Sequence, residues 1–267
     1  MNHIIRKVAS VLAILLSFLI AIPAFADTLQ VSADAPWYAH FGASAILILH
    51  IAGGTIGIVT GYIASFSKKG AKVHRISGQT FFVAMFTSYL IAACVAPFIE
   101  VGARPNTLAG ILALYLLLSG VSAARRRKFT ASMQDRVGVV AAFLITGAGV
   151  LFAWLASQSE PDSANETLPE AFAVFIIAGG LALVGEIRVL IRGQLSNTER
   201  VKRHLWRMCA SFFIASGSFF VGQPQVFPEW FNTTPLPSVL SFAPILIMIY
   251  FLVRYGRALR QPATASA

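Results

Sequence analysis

The chain has 267 residues, of which 57% are hydrophobic and only 12% charged, and its mean hydropathy is +0.72. So few charges exclude an ordinary soluble domain, which carries about 25% charged residues, and several apolar runs of about 20 residues fit the hydrocarbon thickness of a bilayer. The formal net charge of +10 does not point to nucleic acid, because the basic residues sit in short clusters between apolar runs and not on one patch.

The first stretch, "MNHIIRKVASVLAILLSFLIAIPAFAD", has the three parts of a secretory signal. Arg6 and Lys7 form a positive head, Val8 to Ile22 an apolar stretch, and Ala24-Phe25-Ala26 a small-x-small cleavage site after Pro23. This predicts a signal peptide over residues 1–26, cleavage before Asp27, and a single membrane domain over 27–267. An uncleaved first helix is the alternative. Either way residue 27 lies outside the cytoplasm.

Seven further apolar runs follow, over 38–66, 77–98, 106–124, 136–157, 169–192, 202–222 and 238–255. Each is long enough to span as a helix, and none shows the short alternating pattern of a β-barrel. Seven crossings from an external residue 27 put four basic groups of residues in the cytoplasm. They are Lys68, Lys69, Lys72 and Arg75; Arg125, Arg126, Arg127, Lys128 and Arg136; Arg188, Arg192, Arg200, Lys202, Arg203 and Arg207; and Arg254, Arg257 and Arg260. Of the basic residues beyond the signal, only Arg104 falls outside. Most of the acidic residues, Glu100, Glu160, Asp162 and Glu166 among them, fall on the outer side. Lysine and arginine thus mark the cytoplasmic side at every crossing. The expected fold is all-α: an integral bundle of seven transmembrane helices in a bacterial inner membrane, amino end outside and carboxyl end in the cytoplasm.

Within the first run, positions 50, 54, 57 and 61 share one helix face and read His, Gly, Gly, Gly. Glycines at that spacing admit a neighbouring backbone, so His50 is expected to face the bundle interior, roughly 18 Å from the outer end of its helix. Intramembrane ionisable residues are functional candidates. His50 has two readings: a neutral imidazole hydrogen-bonded to the next helix, or a haem ligand, metal ligand or proton relay.

A second constellation gathers at the cytoplasmic side. "SKKGAKVHRISGQTFF" places His74, Arg75 and Gly78 at the entry to the second helix. In the sixth, His204, Arg207, Ser211, Ala215, Ser218 and Gly222 recur at three- and four-residue steps and form a polar, small stripe expected to face other helices. Glu186 lies about 9 Å inside the fifth helix. A lone carboxylate there is costly, so it is expected to pair with Arg207 or His204. That pair is either a clasp between the fifth and sixth helices or a proton or anion site.

Other features carry less. A b-type haem between two histidines needs both at one depth. His40 lies near the outer surface, His50 deeper, and His74 and His204 at the cytoplasmic edge, so haem requires a mixed ligand set. Cys94 and Cys209 fall near opposite faces, which disfavours a disulfide, and both read as buried small hydrophobes. The outer segment "GQPQVFPEWFNTTPLPS" has prolines that forbid a regular helix. Phe227, Trp230 and Phe231 read as an anchor in the headgroup layer, with a ligand lid as the alternative. The chain has no CxxCH, HExxH, phosphate loop or GxSxG.

Two blocks carry a family likeness. "LHIAGGTIGIVTGYIASFSKKGAKVHRISGQTFFVAMF" contains a helix opening with His and small residues, then a basic loop ending His-Arg-x-x-Gly, matched by His50, His74, Arg75 and Gly78. "RHLWRMCASFFIASGSFFVGQPQVFP" carries His204, Trp206, Arg207 and Met208 near the membrane surface. Together they resemble a family of bacterial membrane proteins filed as domain of unknown function 2306, over about half of the chain. More helices separate the two blocks here than the family pattern has. The resemblance implies an integral membrane protein and supplies no substrate.

The expected function is a non-enzymatic multi-pass membrane protein, a transporter or proton-linked sensor, using His50, His74, Arg75, Glu186, His204 and Arg207. The rivals are a membrane redox protein binding haem or quinone through the histidines, and a scaffold of a membrane complex. The expected partners are the lipid bilayer and a small ligand or ion.

Overall fold

A computed structural model describes residues 34–99, 102–158 and 168–258. The expected signal peptide and its cleavage point lie outside these residues. Seven long helices follow one another: α1 Trp37–Phe66, α2 Lys72–Val95, α3 Ala103–Arg125, α4 Met133–Ser157, α5 Ala173–Arg192, α6 Asn197–Phe220 and α7 Leu236–Ala258. The molecule is an all-α bundle. Six of the helices are long and apolar enough to cross a membrane; the other is α6, whose turns carry the arginines and serines of the polar stripe. Each expected apolar run falls within one of these helices and its short 3-10 extensions, except that the sixth ends at Phe220. The main difference lies at the basic ends, where α2 and α6 start about one turn earlier than the apolar pattern. For α6 the cause is a capping box, in which Ser196 and Glu199 exchange hydrogen bonds with each other's backbone.

Two short strands, β1 Phe129–Thr130 and β2 Gln194–Leu195, pair antiparallel. β1 lies between α3 and α4 and β2 between α5 and α6, so the ribbon fixes these two connections at one end of the bundle. Gly193 makes the second connection turn: its φ of 70° lies in the left-handed region, which only glycine adopts without strain. At the same end Arg125 stands over the Phe82 ring of α2, and Lys69 stands over the Phe251 ring of α7. The basic clusters read from the sequence therefore meet at one end, called the basic end below.

Helices α3 and α6 form the centre. Leu108, Leu112 and Leu116 of α3 pack with Ala142, Ile145, Phe175 and Ala182 of α4 and α5. Ala113 and Leu117, from the opposite side of α3, pack with Met85, Tyr89 and Phe212 of α2 and α6. Polar links bind the same helices. Tyr89 donates to the Ser211 carbonyl at 2.8 Å, and the Ser211 hydroxyl donates to the Ala113 carbonyl at 3.0 Å. In α7, Pro244 has no N–H to give the Leu240 carbonyl four residues back. Tyr62 of α1 donates to that carbonyl at 2.5 Å and satisfies an acceptor that hydrocarbon could not.

The Pro-rich connection before α7 contains a 3-10 turn, Pro224–Val226, and one α-helical turn, Glu229–Asn232. The rings of the expected headgroup anchor pack at the end of α6. Phe227 and Phe231 stack at 4.6 Å and gather with Phe220, Phe231 being buried, while Trp230 alone of the three is strongly exposed. Cys94 is corrected: it is exposed, because it lies on the outward face of α2, whereas Cys209 is buried as expected.

Candidate functional site

The most enclosed charges among the described residues meet near the basic end, between α3, α4, α5 and α6. Glu186 of α5 and Arg207 of α6 are 1% and 0% exposed. They stand 2.8 Å apart, Oε1 to Nη1. The other carboxylate oxygen accepts from Arg203 Nη2 at 2.6 Å. Tyr115 of α3 donates its hydroxyl to Oε1 at 2.8 Å. One carboxylate of α5 is thus held by two guanidiniums of α6 and a phenol of α3.

The network continues toward the ribbon. Arg203 Nη2 also lies 3.6 Å from Asp135 Oδ1 of α4. Asp135 accepts from Arg126 at 3.1 Å and from the backbone and hydroxyl of Ser132 at 2.9 and 2.8 Å. It therefore caps α4 and neutralises a guanidinium with the same carboxylate. Arg126 lies 3.9 Å over the Phe129 ring of β1, and Arg203 stands over the same ring. The two-residue ribbon thus supplies an aromatic floor for the charges.

The backbone makes room for this arrangement at two glycines. A Cβ on Gly138 of α4 would lie 2.8 Å from the Glu186 carboxylate, so only glycine lets α4 approach. A Cβ on Gly120 of α3 would lie 3.2 Å from the Arg207 Cβ. In both places close helix packing and charge placement are one requirement.

Counting charges, Arg126, Arg203 and Arg207 face Asp135 and Glu186. Guanidiniums keep their protons, whereas carboxylates can gain one. Every acceptor oxygen of the two carboxylates is engaged, but the buried nitrogens Arg203 Nε, Arg207 Nε and Arg207 Nη2 lack a hydrogen-bond partner among the described residues. The site has spare donors and a positive balance. It adjoins a cavity of about 640 Å³ lined by Tyr115, Asp135, Glu186 and Arg203.

The residues singled out from the sequence do not all gather here. Glu186 and Arg207 pair as expected. His204 does not join them: its Nδ1 is 2.9 Å from the Gly120 carbonyl of α3, since one step along α6 turns it to another face. His50 reaches α2, where its Nδ1 lies 3.0 Å from the Ser88 carbonyl, and the Ser88 hydroxyl donates to the His50 carbonyl at 3.1 Å. Beside it, a Cβ on Gly53 would lie 2.8 Å from the Ala84 carbonyl, so α1 and α2 touch at this level. His74 lies 3.0 Å from the Ala64 carbonyl at the end of α1, and Arg75 is exposed. The expected stripe on α6 is also corrected at its outer end. Ser218 is exposed, and the buried side passes through Arg203, Arg207, Ser211 and Ser216.

Tyr115, Arg126, Asp135 and Arg203 were not singled out. The sequence does hold a signal for Asp135, because Ser132-x-x-Asp135 is a capping box ahead of an apolar run. Nothing in the sequence marks Tyr115, whose role depends on α3 lying beside α5. Outside the apolar spans, Lys69 donates to the Ala64 and Ser65 carbonyls at 3.1 and 2.6 Å. Partial burial pushes its pKa down from the ordinary lysine value. Among the described residues no group of three His, Cys, Asp or Glu side chains is placed to hold a metal ion. No family model, no curated protein and no solved structure matches the chain.

Proposed function

We propose that the chain is a seven-span protein of the bacterial inner membrane, amino end outside and carboxyl end in the cytoplasm, which works as a proton-linked transporter or sensor through Glu186. A signal peptide over residues 1–26 and membership of the family filed as domain of unknown function 2306 belong to the same proposal. The observation that carries it is a single carboxylate, 1% exposed, shared by Arg203, Arg207 and Tyr115 from neighbouring helices. Protonating Glu186 removes the charge that holds two guanidiniums together. The balance then favours separation of α5 from α6 or entry of another anion, which is the bistable element a proton-linked device requires. Among the expected candidates, this centre alone joins a protonatable group to fixed charges. His50, His74 and His204 each bond a backbone carbonyl of a neighbouring helix, as helix-tying imidazoles do.

The experiment is proton flux into proteoliposomes loaded with a pH-sensitive dye, normalised to folded protein. Wild-type protein is expected to carry flux under an imposed pH gradient or to change its flux with added anion, and E186Q to lose that response. Equal traces from wild type, E186Q and empty vesicles would remove the proposal.

A further inference from the structure

The cavity beside the charge centre opens between α3 and α4, and its lining divides into two parts. Its polar part holds Arg125, Arg126 and Arg203 with the engaged carboxylates. Its apolar part includes Phe82, Leu118 and Val137, and the last two are exposed on outward faces of helices long and apolar enough to cross a membrane. The cavity is thus continuous with the surface that meets acyl chains and ends on guanidiniums at the basic end.

Its hydrogen-bonding needs point to one kind of ligand. The two carboxylates have no spare acceptor role: Asp135 is engaged by Ser132, Arg126 and Arg203, and Glu186 by Tyr115, Arg203 and Arg207. Gln134 already accepts from the Ser122 hydroxyl with its amide oxygen at 3.2 Å. What remains is donors. Arg203, 7% exposed, lines the cavity, and its buried Nε has no hydrogen-bond partner among the described residues. Arg125 stands exposed at the edge, its guanidinium 5.3 Å from the Phe82 ring centroid. A cation would meet this surplus of positive charge, and a neutral apolar molecule would leave the donors unsatisfied. An oxyanion would satisfy them.

We infer that the α3–α4 cavity binds an anionic membrane amphiphile, an oxyanion headgroup on an acyl tail, with the headgroup at Arg125 and Arg203 and the tail along Leu118 and Val137. The inference deepens the Proposed function, since it rests on the basic end lying at the cytoplasmic leaflet and gives the charge centre a ligand. Basic pockets between transmembrane helices on that side suit such headgroups. The amphiphile reaches the site laterally from the bilayer.

The test is native mass spectrometry of the full chain extracted from nanodiscs that mix phosphatidylglycerol with phosphatidylcholine. Wild-type protein is expected to retain one phosphatidylglycerol and little phosphatidylcholine. V137W, which fills the cavity from its exposed wall, and R125Q, a surface change that leaves the core intact, are each expected to lower retention about fivefold or more. Excess inorganic phosphate is expected to leave the lipid in place. Equal retention of the two lipids, or retention unchanged in R125Q and in folded V137W, would overturn the inference. Displacement of the lipid by phosphate would assign the site to a dissolved anion and overturn it too. Flux and retention separate the two proposals: a protein without proton-linked flux that still holds phosphatidylglycerol in this cavity keeps this inference and loses the other.

Discussion

Glu186 of α5 and Arg207 of α6 meet at 2.8 Å, and neither side chain exposes more than 1% of its surface. The pair is one link in a chain running Arg126, Asp135, Arg203, Glu186, Arg207 and Tyr115. A charge sealed this far from water is tolerated only with its partners in place, and removing one partner of a buried pair costs about 3–5 kcal/mol.

The sharing of Glu186 makes the two sides of the pair unequal. E186Q leaves Arg203 and Arg207 without their common counter-ion. R207M leaves Glu186 still bound to Arg203 at 2.6 Å and to Tyr115. Thermal unfolding in detergent is expected to show the larger loss in E186Q, by about 1–3 kcal/mol over R207M, as expected for charged hydrogen bonds. The double variant E186Q/R207M should recover part of the loss. A double variant no more stable than the sum of its single losses would show that the two residues do not couple.

The α1–α2 contact offers a milder case. Besides their bonds to each other's backbone carbonyls, His50 Nδ1 and the Ser88 hydroxyl lie 3.2 Å apart, side chain to side chain, across the two helices. Hydrogen bonds between membrane helices couple by about 0.6 kcal/mol on average and up to about 1.7. A double-mutant cycle of H50A and S88A, read by thermal unfolding, should fall in that range. A coupling near zero would show that the imidazole and the Ser88 hydroxyl do not bond each other and that His50 is held by the Ser88 carbonyl alone.

The pairing of β1 with β2 makes a prediction about orientation. Phe129 faces Leu195 in the ribbon, so the α3–α4 and α5–α6 connections lie on one side of any membrane the bundle crosses. Topology reporters fused after Lys128 and after Gln194 are expected to read cytoplasmic, and one fused after Thr233 external. Opposite readings at Lys128 and Gln194 would contradict the ribbon. A shared external reading would keep the ribbon and invert the proposed orientation.

How much of this was legible beforehand follows from what each signal depends on. Apolar length and the side of lysine and arginine are properties of the chain alone, and they placed each long helix within a few residues. The Glu186–Arg207 pair was legible because a lone carboxylate in an apolar run demands a partner, and Arg207 stands at a similar depth in the next long helix. Arg203 was hidden because the expected sixth run starts at 202, which leaves Arg203 at its very end, whereas the helix starts at Asn197 and carries Arg203 inside. It reads equally well as one more basic residue of the cytoplasmic cluster. Tyr115 and Asp135 come from helices whose placement beside α5 and α6 is a tertiary fact. The packing of Phe227 and Phe231 on each other and on α6 was hidden for a similar reason. Aromatics near an interface fit lipid headgroups and a neighbouring helix end equally well, and only the fold decides.

The close approach of α4 to the charge centre gives a local test with an internal control. A Cβ on Gly138 would lie 2.8 Å from the Glu186 carboxylate, whereas one on Gly147, in the same helix, would meet nothing within 4 Å. In a helix interior, alanine is better than glycine by about 0.5–1 kcal/mol. G147A is therefore expected to stabilise by roughly that amount. G138A gains the same backbone term but must displace a carboxylate fixed by Arg203, Arg207 and Tyr115, and overpacking a tight contact costs about 1–3 kcal/mol. Thermal unfolding should therefore place G138A below wild type and G147A at or above it. If G138A were as stable as G147A, α4 would not press on Glu186. The cavity between α3 and α4 would then need another explanation for its charged wall.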